Sequence, residues 1–386
     1  MGDSDKKDDN LNQINQLSSE KELAKPIMGI LIKANHIKRM LSKQQPLSKH
    51  AKFIEANEQI QMLLYFFSID DFHINKPIVR GVHYNQETDK WEKKKLPYPD
   101  IIYKAYGSKN KKDLSLKFIN RIKEFDIKLI NYLYCFNKWE IYEHLSDYQN
   151  ISPHLPLSVL YDSPDSLKKM LAISHKVYLK ACQSGKGRGV VCVEQLPEGR
   201  YTYRYFIDGL YENEAKGFDS LIHEILLFYK NRKFIVQQAI DLIKVEGKII
   251  DMRAELQRKD NGKIVITAIA VRVSNHNSPI TTHGESYTFQ YFFKHFMDYS
   301  EVEIAKLESR IIKFLKMIYH AIEASYGQSG ELSMDIGLDS NDHLWFIESN
   351  AYSSKASFHH AYDEREIQQS YLNLLEYAIF LYSEDS

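Results

Sequence analysis

Two alternating segments, Asp251–Arg258 and Lys263–Val273, are separated by little more than Asp260-Asn261-Gly262. Side chains alternate faces along a strand, and Asn-Gly accepts the left-handed backbone that joins two twisted strands. The pattern therefore predicts a β-hairpin too long to stand alone. It needs a sheet to sit in and an apolar cover, and the sequence supplies both. Ser300 with Glu303 is a capping box that opens an amphipathic helix through Ile304, Leu307, Ile311, Leu315, Ile318 and Ile322. Leu332–Leu338 and Leu344–Glu348 read as a second hairpin around Ser340-Asn341-Asp342. The last helix presents Ile367, Tyr371, Leu374, Leu375, Ala378 and Leu381 on one face.

Upstream, residues 1–25 are rich in Asp, Lys, Asn, Gln and Ser and read as a disordered lead-in. Pro26–Lys33 reads as a buried strand, His50–Phe67 as a helix, and Ile69–Ile74, Ile78–Tyr84 and Tyr98–Tyr103 as extended. This alternation suggests a small α/β domain over residues 26–133. From 134 onward come a helix over Trp139–Leu145, a strand at Ser174–Lys180, a glycine-rich loop and a strand at Val190–Glu194. A mainly helical Tyr211–Tyr229 and an apolar strand at Phe234–Ile240 follow. Strands and helices are thus mixed without a repeat, which is the α+β class.

With 386 residues, two or three structural units are expected. Lys plus Arg equals Asp plus Glu at 51 each, and there is no basic block. That balance argues against a nucleic-acid or membrane-surface partner while leaving room for a local basic pocket. The three cysteines, Cys135, Cys182 and Cys192, fit neither a zinc motif nor a disulfide framework. The N-terminal stretch lacks the apolar core of a signal peptide, and the longest apolar runs are too short to span a bilayer. The expectation is a reduced, cytoplasmic protein.

Four groups of residues could carry chemistry. Lys180 ends a strand and is followed by Ser184, Gly185, Lys186, Gly187, Arg188 and Gly189, whose backbone N–H groups and positive charges suit phosphate oxygens. This is not a Walker loop, since Gly187 stands where Ser or Thr is required. Asp335, Glu348 and Asn350 lie on the two strands of the last hairpin, where adjacent carboxylates call for a cation between them; oxygen ligands favour Mg²⁺. Alternation puts Asp251 and Arg253 on one face of the long hairpin, with Arg272 at the end of its second strand. Taken alone, the loop is a surface turn and the Asp251–Arg253 pair a structural salt bridge. Gln237 and Gln238 interrupt the apolar strand Phe234–Ile240, which could offer backbone groups to a purine or be a buried linker.

Together these features resemble the ATP-grasp superfamily, and within it the YheC/YheD-type endospore coat-associated proteins. The matching stretches run from Asn137-Lys138-Trp139 through Val177-Tyr178-Leu179-Lys180, Gly187-Arg188-Gly189, Asp251-Met252-Arg253 and Ala270-Val271-Arg272. They end with Met334-Asp335-Ile336-Gly337 and Glu348-Ser349-Asn350. The resemblance implies an ATP-grasp fold, two α+β lobes gripping ATP, preceded by a small α/β domain. It implies an ATP-dependent carboxylate–amine ligase acting through an acyl phosphate on an amino acid, peptide or protein acceptor, with spore-coat association. Lys138, Lys180 and the Ser184–Gly189 loop would hold the phosphates of ATP. Gln237, Gln238, Ala239 and Ile240 would receive adenine, and Asp335, Glu348 and Asn350 would hold Mg²⁺. Asp251, Arg253 and Arg272 would face the reacting carboxylate. The sequence departs from the family pattern at Ala181, where proline is usual, at the order Ser184-Gly185, at Ser349 and at Ser353. One rival is a coat protein that binds nucleotide without turnover. A kinase is not expected, since there is no His-Arg-Asp loop and little room after Asp335 for a helical lobe.

Overall fold

The computed structural model describes residues 25–105, 112–133, 135–185 and 187–384. The lead-in over residues 1–24 and Lys186 lie outside the described residues. The chain divides into two compact units, one comprising residues 25–103, 112–129 and 375–384, the other centred on Ile130–Leu374.

The first unit is built from β1 (Met28–Leu31), α1 (Ala34–Lys43), α2 (Ser48–Ile60), β2 (Leu64–Phe67), β3 (Ile78–Asn85), β4 (Lys90–Pro97), β5 (Ile101–Lys104), α3 (Lys112–Glu124) and β6 (Lys128–Leu129). Its sheet runs β4-β3-β2-β1-β5-β6, parallel at β1–β2 and β5–β6 and antiparallel at β2–β3 and β3–β4. Phe118 and Ile122 of α3 join Leu31, Tyr65, Phe67 and Ile102 in one core. Two expectations are corrected here. The helix expected over His50–Phe67 stops at Ile60, where Gln61 turns left-handed at φ 57° and Asn57 caps the exit by bonding Met62 N–H and C=O. Leu64–Phe67 is instead a strand buried on both faces, so its unbroken apolar run mimics a helical pattern. Ile69–Asp71 is a capped 3₁₀ turn rather than extended chain.

The second unit holds two antiparallel sheets. Helix α4 (Lys138–Ser146) leads into β7 (Ser158–Leu160), α5 (Pro164–Ser174), β8 (Lys176–Ala181), β9 (Val190–Gln195), β10 (Tyr201–Phe206), β11 (Leu210–Ala215), α6 (Phe218–Tyr229) and β12 (Phe234–Gln238). These strands order as β11-β10-β9-β8-β12-β7, with α5 and α6 packed on one face through Leu167, Leu171, Leu221 and Ile225. The mainly helical reading of Tyr211–Tyr229 is corrected at its start. Leu210–Ala215 pairs with β10, and the helix begins only after Gly217.

The last sheet comprises β13 (Lys244–Val245), β14 (Lys248–Arg258), β15 (Ile264–Val273), β16 (Glu285–Thr288), β17 (Glu331–Leu338) and β18 (Leu344–Asn350). Its order is β16-β15-β14-β17-β18, with β13 on β14. Helices α7 (Phe289–His295) and α8 (Glu301–Tyr326) are followed, after β18, by α9 (Ala356–Ala361) and α10 (Glu364–Ser383). The long hairpin forms as the sequence predicts: Gly262 takes φ 68° in the turn, and Ser300 and Glu303 cap α8 reciprocally. Met252, Ala254 and Leu256 join Leu332, Met334 and Ile336 in a core with Ile311, Leu315 and Ile318 of α8. The opposite face carries Asp251, Arg253, Glu255 and Gln257, in register with Asp335, Ser333 and Glu331 from Arg253 onward. Two bulges adjust this lattice, one at Glu255/Leu256 and one at Asp335/Ile336. The second inserts Ile347 as an extra residue on β18 opposite the Asp335–Ile336 step.

Candidate functional site

Between the β8–β12 sheet and the β14–β18 sheet lies a cleft of about 910 Å³, open to solvent. Its walls are supplied by strand ends rather than by loops alone. Lys180 comes from β8, Gln237 and Gln238 from β12, Asp251 and Arg272 from the long hairpin, and Asp335 and Glu348 from β17 and β18. Lys138, the first residue of α4, also lines it. It is placed there by the Asn137 cap on Trp139 N–H (3.1 Å) and by its own N–H bond to Cys182 C=O (2.9 Å). Ser184, Gly185, Gly187 and Ile240 line the same cleft, whereas Arg188, Gly189, Ala239, Arg253 and Asn350 do not line it.

The two lysines do different things. Lys138 Nζ lies 3.1 Å from Glu348 Oε2. Lys180 is only 8% exposed; its Nζ donates to Gln237 Oε1 at 2.6 Å, and Gln237 Nε2 donates to Ser158 Oγ at 2.8 Å. The Gln237 amide is thus committed to holding the lysine, and Ala239 N–H is bound to Lys176 C=O. Burial, reinforced by Lys138, lowers the Lys180 ammonium to about 8 against the pull of Glu348, Asp335 and Asp251. Next to these groups the wall turns apolar, with Tyr178, Val190, Ile240, Leu242, Ile249 and Ile347. That surface suits the faces of a flat ring.

Two glycines of the β8–β9 loop, Gly187 and Gly189, are required by geometry. Gly187 takes φ 70°, and a Cβ there would lie 2.4 Å from Ile280 Cδ1. A Cβ on Gly189 would meet those of Ala181 and Ser184 at 2.8 Å each, because Gly189 C=O accepts the Ala181 N–H across the loop base.

At the other end the charges form one network. Arg272 Nε and Nη2 each donate to Asp251 at 2.6 Å, and Nη2 also lies 3.1 Å from Asp335. Arg253 Nη1 donates to both oxygens of Asp335 at 2.8 and 3.0 Å. The Asp251–Arg253 salt bridge expected from alternation is therefore corrected: each pairs across a strand rather than along one, because cross-strand neighbours on a face are closer than i,i+2 residues. Four cations, Lys138, Lys180, Arg253 and Arg272, face three carboxylates, Asp251, Asp335 and Glu348, which leaves a positive surplus for an anion. Burial raises the Asp335 carboxyl despite both arginines. Burial would also raise Glu348, but Lys138, Lys180 and Arg253 outweigh it and hold it at about 2. Arg272 is pushed further into its charged form, as Asp251 and Asp335 overcome the cost of burying it.

Asp335 and Glu348 are register partners across β17 and β18, and Asn350 Nδ2 approaches Glu348 Oε1 at 3.5 Å. No cluster of three or more His, Cys, Asp or Glu suited to a metal occurs among the described residues. Mg²⁺, however, is held by one or two carboxylates together with phosphate oxygens, so this hard-oxygen set fits it.

The sequence reads residues 276–288, the segment that joins and enters β16 after β15, only as part of a specificity surface, with no role for any one residue. Ser278, Pro279, Ile280, Thr281 and Thr282 line the cleft, and Thr281 Oγ1 donates to Asp251 Oδ2 at 2.6 Å. Residues 276–288 match no residue pattern, so the contact of Thr281 with Asp251 could not be read from them.

Comparison with known proteins agrees with this architecture. The model of a family described as YheC/D like ATP-grasp matches residues 126–381. The chain is 28% identical over 325 residues to the endospore coat-associated protein YheD of Bacillus subtilis, covering 80% of this chain and 68% of that one. In fold it resembles N5-carboxyaminoimidazole synthase from Aspergillus clavatus, solved with ADP and its ribonucleotide, with TM-score 0.52 and 10% identity over 86% of this chain and 71% of that one. It also resembles the VanG D-Ala:D-Ser ligase from Enterococcus faecalis, with TM-score 0.51 and 12% identity over 93% and 99% of the two chains. No helix among the described residues is long and apolar enough to cross a membrane.

Proposed function

The chain belongs to the YheC/D-like ATP-grasp family, and from that premise we propose that it is an ATP-dependent carboxylate–amine ligase. The observation that carries the proposal is the continuity of the cleft. One cleft between the two sheets holds an apolar lining, Lys138 and Lys180, and the Asp251–Arg272–Asp335 pairs, with Arg253 bonded to Asp335 beside it. Phosphoryl transfer asks for positioning and charge neutralisation, which this order of groups supplies.

In the proposed reaction an acceptor carboxylate oxygen attacks the γ-phosphorus of ATP, and the bond to ADP breaks. An amine nitrogen then attacks the carbonyl carbon of the acyl phosphate, phosphate leaves, and the amide forms as the nitrogen loses its proton. Lys138 and Lys180 hold phosphate oxygens, and the Ser184–Gly189 loop covers them. Gln237 keeps Lys180 aimed into the cleft, while Gln238 and Ile240 border the base. Asp335, Glu348 and Asn350 would hold Mg²⁺, which when bound neutralises phosphate charge. Arg253 and Arg272 face the reacting carboxylate, where an arginine can stabilise the developing oxyanion. The acceptor is an amino acid, a peptide or a coat protein.

A second reading, a nucleotide-binding structural protein of the spore coat, is favoured by the ion pairs that already occupy Asp335 and Glu348. ADP formation measured against a panel of amino acids and peptides, with intact-mass analysis of products, separates the two. A carboxylate that stimulates ADP release and yields a condensed product supports the ligase; nucleotide binding without stimulation by any panel member supports the structural role.

A further inference from the structure

The β15–β16 connection touches both ends of the cleft. Its Ile280 side chain fills the space over Gly187, where even a methyl group would collide with it at 2.4 Å. One residue on, Thr281 is buried, and its hydroxyl donates to Asp251 Oδ2, the same oxygen that accepts Arg272 Nη2. Ser278 folds the loop onto itself through bonds to Ile280 C=O (2.8 Å) and N–H (3.3 Å), so Ile280 and Thr281 move as one piece. Asp251 thus has three donors: two come from the guanidinium whose direction it sets, and one comes from a loop that rests on the glycine turn.

We propose that Thr281 is a positioning residue that fixes Arg272 through Asp251, and that the loop over residues 275–284 is the latch by which closure of the glycine turn readies the arginine. The inference rests on the ligase reading for its effect on turnover, but not for its effect on loop order. With the latch down, Ile280 bears on Gly187 while Thr281 completes the carboxylate. With it up, Asp251 loses its third donor, and the Arg272 guanidinium gains freedom to rotate. A hydroxyl bonded to a charged group is the size of contact whose loss is felt when it tunes a reacting centre.

The test uses the full chain and Mg²⁺ with a non-hydrolysable ATP analogue. In the wild type, the analogue should slow amide hydrogen exchange across residues 275–284. Thr281→Val should bind the analogue only modestly more weakly while losing that protection, and Thr281→Ser should restore it. With any acceptor that the panel identifies, Thr281→Val should lower kcat roughly ten- to a hundredfold with little change in KM for ATP. Ile280→Ala, which removes the other anchor, should raise exchange in the same segment and provides the measurement if Thr281→Val fails to fold. Wild-type exchange protection in both variants would overturn the latch. Lost protection with wild-type kcat would overturn the positioning role. Absence of turnover in the wild type would count against the ligase reading, leaving the exchange experiment to decide the latch.

Discussion

Lys180 shows how a single side chain is tuned by what buries it. The sequence marks it as a strand-ending lysine beside a glycine turn, but nothing in the sequence says that Gln237 grips it or that Lys138 sits beside it; both depend on which strands become neighbours. Because burial lowers its ammonium to about 8, the free site loses a positive charge as pH rises through that value. Bound phosphate favours the protonated form, so nucleotide affinity should fall between pH 7 and 9. Titration calorimetry should show that fall in the wild type and a flatter, weaker profile in Lys180→Met. Since Lys180 is buried and bonded, the variant should also shift the thermal transition. At the reacting end, Arg253→Met and Arg272→Met should spare much of the ATP affinity and reduce turnover by roughly a hundred- to thousandfold. Asp335→Ala should instead weaken Mg²⁺-dependent binding. It should also destabilise the fold by about 3–5 kcal/mol, because it removes the partner of the half-buried Arg253 and one of the two carboxylates beside the buried Arg272; urea titration separates these effects.

At the scale of elements, what was legible is what is local and periodic. The Asp260–Gly262 hairpin, the capped helix from Ser300 and the hairpin around Asn341 follow from turn and capping chemistry within a few residues. Replacing Ser300 by Ala should therefore cost about 1 kcal/mol of stability without touching ligand binding, measurable by urea unfolding. Less legible were segments whose environment overrides their pattern. Leu64–Phe67 is apolar at every position because both faces are covered, and Leu210–Ala215 is polar because it is an exposed sheet edge. The bulge that inserts Ile347 was invisible for the same kind of reason: an extra residue on one strand is defined only against its partner. The candidate site followed suit. Its charged residues stood out through the family resemblance, while their pairing, and the role of Thr281, required the register of β14, β15 and β17.

For the molecule as a whole, a ligand that only the folded chain can bind must stabilise it. Saturating Mg-ATP at a hundred times its dissociation constant should add about 2.7 kcal/mol and raise the melting temperature. An unmoved transition in folded protein would count against a nucleotide cleft. The two-sided sheet has a further consequence for how this chain can vary. An exposed amphipathic hairpin offers every second position to drift, but on β14 the apolar residues are locked into the core. The polar ones, Asp251, Glu255 and Gln257, are buried too. A segment that reads as half-tolerant is therefore intolerant along its whole length, and its alternation marks two kinds of constraint rather than constraint and freedom. Descendants of this sequence should diversify at β11 and the lysine-rich β4 long before they change a residue between Asp251 and Gln257.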